Sequence, residues 1–136
     1  MKEAAFSLFG YRFDKVSIEL GNHTASNVSV HFDTKGAFEG KASNFELWFS
    51  MQAFDEGNQS NPYVNVECTA TFRFDPVVAF EEIPDYFYAN AIAILFPYLR
   101  AYVSLITVQA NVPPIILPTM NLSSLAGALR KNTSQK

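Results

Sequence analysis

Few side chains in this 136-residue chain could do acid–base, nucleophilic or metal chemistry, and their spacing argues against it. The two histidines, His23 and His31, fall in a turn cluster and on the polar side of a strand pattern, and beside a single cysteine they make no metal-ligand set. Their plainest role is as solvated side chains. Cys68 lies on the apolar side of an alternating stretch, where cysteine behaves as a small inert hydrophobe rather than a nucleophile. Glu81 and Glu82 are adjacent, so they point apart on a strand or solubilise a junction in a loop; neither arrangement pairs an acid with a base. There is no Gly-rich phosphate loop, no G-x-S-x-G elbow and no H-E-x-x-H. The chain therefore reads as a non-enzyme with no need for a metal or cofactor.

The chemistry the sequence does offer is apolar. Residues 101–129 contain no Asp, Glu, Lys or Arg, and Pro113, Pro114 and Pro118 sit in their middle. An uncharged stretch of this length invites a membrane helix, but each proline removes a backbone donor and clashes with the preceding turn, so no helix runs through them. The chain is accordingly expected not to span a membrane. What remains is two shorter apolar helices joined by a stiff loop, residues 112–118, which is itself apolar where connections are usually polar. Such a loop must sit in something apolar or hold something apolar.

Charge divides the chain. All 13 acidic residues lie at or before Asp85, so residues 1–85 carry −7 and residues 86–136 carry +4, against a total of −3. This mild acidity, without a basic face, excludes a nucleic-acid binder. A length of 136 residues implies one domain over 1–136, and 49% apolar residues with 13 Phe exceed what a small monomer hides, so self-association is expected. The first ten residues hold too short an apolar run for a signal peptide, and one cysteine cannot form an intrachain disulfide; the expected location is cytoplasmic. There, the Asn-x-Ser/Thr sequons at Asn22, Asn27, Asn58, Asn121 and Asn132 carry no weight as sugar sites.

The positioning elements follow from periodicity. Residues 4–20 alternate on either side of Gly10, which marks a bulge or a close approach in a first strand. After the turn cluster at 21–27, Val28, Val30 and Phe32 give a second strand; Phe45, Leu47, Phe49 and Met51 a third; and Val64, Val66, Cys68, Ala70, Phe72 and Phe74 a fourth. Strands in succession without intervening helices imply an antiparallel sheet with one apolar face. From Pro84 the period changes to three and four, predicting a helix over about 84–109 with Pro84 in its first turn and a kink near Pro97. That helix is apolar almost all round, so the sheet can cover one side and a second subunit must cover another. A short helix capped by Asn121 and carrying Leu122, Leu125 and Leu129 ends the pattern, with Arg130 and Lys131 favourable at its C-terminal end. The fold class is α+β: a four-stranded antiparallel sheet, a long kinked helix and a short C-terminal helix.

The run Ile94-Leu95-Phe96-Pro97-Tyr98-Leu99-Arg100, followed at matching spacing by the proline loop and by Leu117, Asn121, Leu122 and Leu125, is similar to the SecB family of bacterial protein-export chaperones. Upstream, Val16-Ser17-Ile18-Glu19 resembles that family's first-strand signature, so the likeness covers nearly the whole chain. The resemblance implies an ATP-independent holdase for unfolded polypeptides or preproteins, assembled as a homotetramer in which the long helices are sandwiched between two dimers. It places Leu95, Tyr98 and Tyr102 at the oligomer interface. It puts Val112, Ile115, Ile116, Leu117, Met120, Leu122, Leu125 and Leu129 beside an apolar client groove, with Trp48 contributed from the sheet. For the short-helix leucines a place in their own subunit's core stands equally open; for the loop isoleucines the groove is favoured. The resemblance also implies docking on a SecA-type export motor through acidic sheet positions such as Glu19. Lys15, standing where another acid is expected, and the basic tail from Arg130 to Lys136 depart from that pattern. Some SecB-like proteins instead partner a toxin–antitoxin pair, and the resemblance leaves that role and a stand-alone branch open beside export. The remaining alternatives are a small-molecule or lipid carrier with an enclosed apolar pocket and a purely structural oligomer.

Overall fold

The computed structural model describes residues 5–23, 27–117 and 123–136. Four long strands, β1 (Ala5–Ile18), β2 (Val28–Glu39), β3 (Asn44–Asp55) and β4 (Val64–Asp75), are followed by a long helix α1 (Asp85–Gln109), a short helix α2 (Ser123–Lys131) and a terminal strand β5 (Thr133–Gln135). The sheet has five strands in the order β1-β4-β3-β2-β5. The pairs β1–β4, β4–β3 and β3–β2 are antiparallel, but β5 lies parallel to β2, opposite residues 36–38. This corrects the expected four-stranded antiparallel sheet. The tail carries no apolar alternation that would announce a strand; it is held through its backbone, with the Gly36 N–H donating to the Asn132 carbonyl at 3.3 Å and the Lys136 N–H to the Phe38 carbonyl at 2.8 Å.

Strand β1 pairs with β4 rather than with its sequence neighbour β2, so the chain leaving β1, over residues 19–23, crosses the end of the sheet. Its anchors are the Glu19 N–H on the Tyr63 carbonyl at 2.8 Å, the Asn22 amide on the Pro62 carbonyl at 3.1 Å, and His23 Nδ1 at 2.9 Å from Oδ2 of the fully buried Asp55. The His23 ring also lies flat on Tyr63, with centroids 4.2 Å apart. The expected irregularity at Gly10 is present: β1 shifts register between Leu8 and Gly10, and again between Phe13 and Lys15. These bulges keep Leu8, Tyr11, Phe13, Val16 and Ile18 opposite the apolar Phe72, Ala70, Cys68, Val66 and Val64 despite broken alternation in the sequence.

The core lies between that sheet face and α1. Phe87 stands at its centre, within 4.7 to 5.7 Å, ring centre to ring centre, of Phe6, Phe45, Phe72 and Phe74. One flank of α1 is buried there through Phe87, Ala91, Ile92, Leu95, Leu99 and Val103, a three- and four-residue spacing that keeps one stripe on the sheet. Pro84 is not in the first turn but immediately before it, in extended conformation, with its carbonyl accepting from the Phe87 N–H at 3.0 Å. Pro97 lies inside the helix. Helix α2 covers the same sheet face over β2, where the buried Thr34 hydroxyl donates to the Leu125 carbonyl at 3.4 Å. The tight turn before β3 turns on Ser43, whose φ of 52° is left-handed. That residue is buried, its carbonyl accepts from the Phe74 N–H at 3.1 Å, and its hydroxyl accepts from the Val78 N–H at 3.1 Å.

Candidate functional site

A loop as apolar as residues 112–117 needs an anchor, and Thr107 in the last turn of α1 provides it. The Thr107 hydroxyl donates to the Val103 carbonyl at 2.9 Å and accepts from the Ile115 N–H at 3.0 Å, while the Val112 N–H donates to the Thr107 carbonyl at 3.2 Å. The three contacts turn the chain back along the outer side of the helix. Asn111, with a φ of 63°, makes the reversal. Pro113 and Pro114 then stiffen the path by fixing φ and lowering the loop's unfolded freedom.

The loop's apolar residues divide by depth. Leu117 is fully buried in the core, Val112 and Ile115 pack half-buried against it, and Ile116 is 67% exposed. Ile116 faces a cleft of about 470 Å³ whose other walls are Phe96, Pro97, Arg100, Ala101 and Ser104 of α1. Around it, the outer flank of α1 leaves large apolar side chains in contact with water: Tyr86, Ile94, Tyr98, Leu105 and Val108 are each 37–53% exposed. A buried flank, an apolar outer flank and a stiff loop beside it make one continuous apolar surface with a concavity in it. By length and hydropathy alone α1 could cross a membrane, but one of its flanks is seated on the sheet.

The expected site residues fall at different depths. Leu95 is fully buried and faces the sheet, so it belongs to its own subunit's core and not to an oligomer interface. Tyr102 stacks on Phe13 of β1 at 4.0 Å between centroids, and Tyr98 stacks on Tyr11 at 4.5 Å while keeping 42% of its surface exposed. Leu117, Leu125 and Leu129 are buried in the core cluster, because α2 and the end of the loop close the β2 side of the sheet over them. Trp48 is not beside the loop. It alternates with the buried Leu47 and Phe49 and so stands on the opposite sheet face, where its indole N–H donates to Glu67 Oε1 at 3.1 Å and Lys35 Nζ lies 4.7 Å from the ring centre. Met120 and Leu122 lie outside the described residues. Glu19 is exposed at the end of β1, and Lys15 sits opposite Glu67 on the polar face.

Among the described residues, the polar groups found elsewhere do not assemble a reactive centre. Burial, and behind it the nearby Asp14 carboxylate, pushes the Cys68 thiol up to about 12, which leaves it protonated and inert near neutrality. Among the described residues no three His, Cys, Asp or Glu side chains converge on a point that could hold a metal ion. The residue that sequence reasoning passed over is Arg100, quoted within the family-like run but assigned no role; the signal that could have found it is its isolation, since it is the single charged residue between 86 and 129.

This fold is shared with a SecB-like chaperone of known structure. The chain superposes on the Mycobacterium tuberculosis SecB-like chaperone Rv1957, solved in complex with a ChAD peptide from the HigA1 antitoxin Rv1956, with a TM-score of 0.63 over 85% of this chain and 91% of that one at 16% sequence identity. A Streptococcus agalactiae protein of unknown function aligns over 86% of this chain and 98% of its own at 15% identity, with a TM-score of 0.38. In sequence, the uncharacterized protein MJ0357 of Methanocaldococcus jannaschii is 42% identical over 72 residues, 49% of this chain and 43% of that protein; the chain thus spans less than half the length of this relative. No protein-family model matches the chain.

Proposed function

We propose that this protein is an ATP-independent holdase that binds unfolded polypeptide in an apolar surface groove beside the proline loop. The observation that carries the reading is Ile116: a branched apolar side chain left 67% exposed by a loop pinned at Thr107, beside a cleft walled by Phe96 and Ala101. A loop that served only to plug its own core would turn this residue inward with Leu117. A pre-stiffened apolar wall instead lowers the ordering cost of each client contact, and several weak contacts then sum. In this reading Val112 and Ile115 support the wall from beneath, and Leu117, Leu125 and Leu129 anchor it to the sheet.

The exposed apolar flank of α1 fits a homotetramer in the cytoplasm, with long helices apposed between dimers. Between an export chaperone and one serving a toxin–antitoxin pair, the SecB-like neighbour bound to an antitoxin peptide supports the second, as do Lys15 and the basic tail. The deciding experiment dilutes a chemically denatured test protein into the purified chain and follows light scattering. Suppression of aggregation at near-stoichiometric ratios without ATP is the expected result. Undiminished aggregation, together with copurification of a small apolar ligand, would replace the holdase with a carrier.

A further inference from the structure

Gly36 stands in the interior of β2 without a positive φ, so its backbone does not require glycine, and glycine weakens a strand there. Its reason is space. A side chain on Gly36 would run into the Phe45 ring in the core, and its Cβ would stand 2.8 Å from the Thr133 hydroxyl of the tail. The missing side chain is thus the seat of β5. Thr133 joins two elements at that seat: its hydroxyl donates to the Leu129 carbonyl at 2.6 Å, closing the last turn of α2, while its backbone lies opposite Gly36 in the parallel ladder. Lys136 completes the hold, its N–H donating to the Phe38 carbonyl at 2.8 Å.

The helix held in this way has little strength of its own. Its nine residues are marginal as an isolated helix, and Gly127, exposed in the middle of α2, lowers helix propensity further. Leu125 and Leu129 are its large buried anchors, and the Thr34 hydroxyl reaches the Leu125 carbonyl at a long 3.4 Å. The ion pair between Arg130 and Asp85, 2.6 Å apart, is exposed at both ends and adds little. We infer that β5 is a latch on α2: seated, it keeps the helix closed over β2; released, it lets α2 lift and opens Leu125, Leu129 and the core face of β2 to an unfolded client. The inference rests on the holdase reading and names the regulation of that site. Ile116 and its cleft are already presented, whereas the surface under α2 is held in reserve. Apparent affinity for that reserve scales with the fraction of molecules whose latch is open.

Lys136→Pro removes the N–H that the Phe38 carbonyl accepts, and Thr133→Val keeps a branched side chain but loses the hydroxyl on Leu129. Gly127→Ala acts in the opposite direction, since nothing lies within 4 Å of the added methyl and alanine strengthens the helix. For each variant of the full chain, hydrogen exchange is followed over residues 125–131, together with the chaperone-to-substrate ratio that halves aggregation of a denatured protein. Lys136→Pro and Thr133→Val are expected to speed exchange in α2 about tenfold, the weight of one or two net hydrogen bonds, and to lower that ratio, with exchange in α1 unchanged. Gly127→Ala should slow exchange and raise the ratio. Lys136→Gln, which keeps the N–H and removes the charge 3.7 Å from Glu46, should match the unmodified chain. Unchanged exchange in α2, or faster exchange with an unchanged or higher ratio, would overturn the latch while leaving the holding function in place. Loss of near-UV circular dichroism in both tail variants would do the same, because the tail would then be part of the fold rather than a gate on it. No suppression of aggregation by the unmodified chain or by any variant would overturn the holdase reading beneath it as well.

Discussion

The Thr107 hydroxyl accepts the Ile115 N–H at 3.0 Å while donating to the Val103 carbonyl at 2.9 Å, so one side chain ties the proline loop to the helix it leaves. Thr107 is fully buried, and Thr107→Val keeps its shape but leaves the Ile115 donor without its acceptor. The expected cost is about 1 kcal/mol, that of a hydrogen bond lost at a half-buried donor. Hydrogen exchange at the Ile115 amide should accelerate more than exchange in the centre of α1. Equal acceleration at both sites would mean that the contact does not govern the loop.

Ile116 and Leu117 are adjacent and face opposite fates. Leu117→Ala empties a fully buried position and should cost roughly 2–5 kcal/mol, read as a lower denaturation midpoint. Ile116→Ser removes an exposed side chain and should leave the midpoint nearly unchanged while reducing suppression of aggregation. The reverse pattern would show that the loop serves the core alone.

Leu105 and Val108, about half exposed at 53% and 51%, report on assembly better than the tyrosines, which stack on β1. Leu105→Asp should lower the mass measured by light scattering after size exclusion, with little change in far-UV circular dichroism. A stable monomer for the unmodified chain at micromolar concentration would remove the tetramer.

Burial raises the Cys68 thiol from 9.0 to about 12, which fixes the sign of a pH effect. The unfolded chain loses this proton near its ordinary value while the folded chain keeps it. The contribution is therefore intact below pH 9.0 and falls away as pH rises from there toward about 12. Labelling by a thiol reagent at pH 8 should track unfolding, and Cys68→Ala should flatten the alkaline loss of stability. Rapid labelling of the native protein would contradict the buried placement.

Docking on an export motor would use charge on the exposed sheet edge, where Glu19 is retained and Lys15 opposes Glu67. Binding to a SecA-type motor is expected to be weak and to weaken further with salt, over a Debye length of about 8–10 Å, whereas client holding should hardly respond. Lys15→Asp should improve motor binding at low salt, although it places like charges across β1 and β4. Tight, salt-insensitive motor binding by the unmodified chain would restore the export role.

Local periodicity carried much of the architecture. The alternation from Val64 to Phe74 and the three- and four-residue steps after Pro84 predict β4 and α1 within a residue or so, because each pattern reflects a face buried over many consecutive turns or pleats. What periodicity does not encode is the identity of the covering partner. Leu125 and Leu129 recur as an apolar stripe whether they meet β2 or a client, and only the tertiary contact at Thr34 settles them into the core. The pairing of β1 with β4 is likewise non-local, and Thr133–Gln135 joins the sheet through backbone groups alone, which leave no mark on side-chain pattern. Trp48 is different: its place between Leu47 and Phe49 already sets it on the far face of the sheet.

The parallel tail strand has a consequence for how copies of this chain can meet. Thr133–Gln135 pairs with residues 36–38 of β2 and so interrupts that edge near one end, whereas β1 leaves a fourteen-residue rim at the other side of the sheet. An interrupted edge is a poorer template for a further strand than a continuous one, which disfavours head-to-tail extension. Were two copies to join β1 rim to β1 rim about a twofold axis, both continuous rims would be used up at once, and sheet extension would terminate at a pair instead of running on into a fibre.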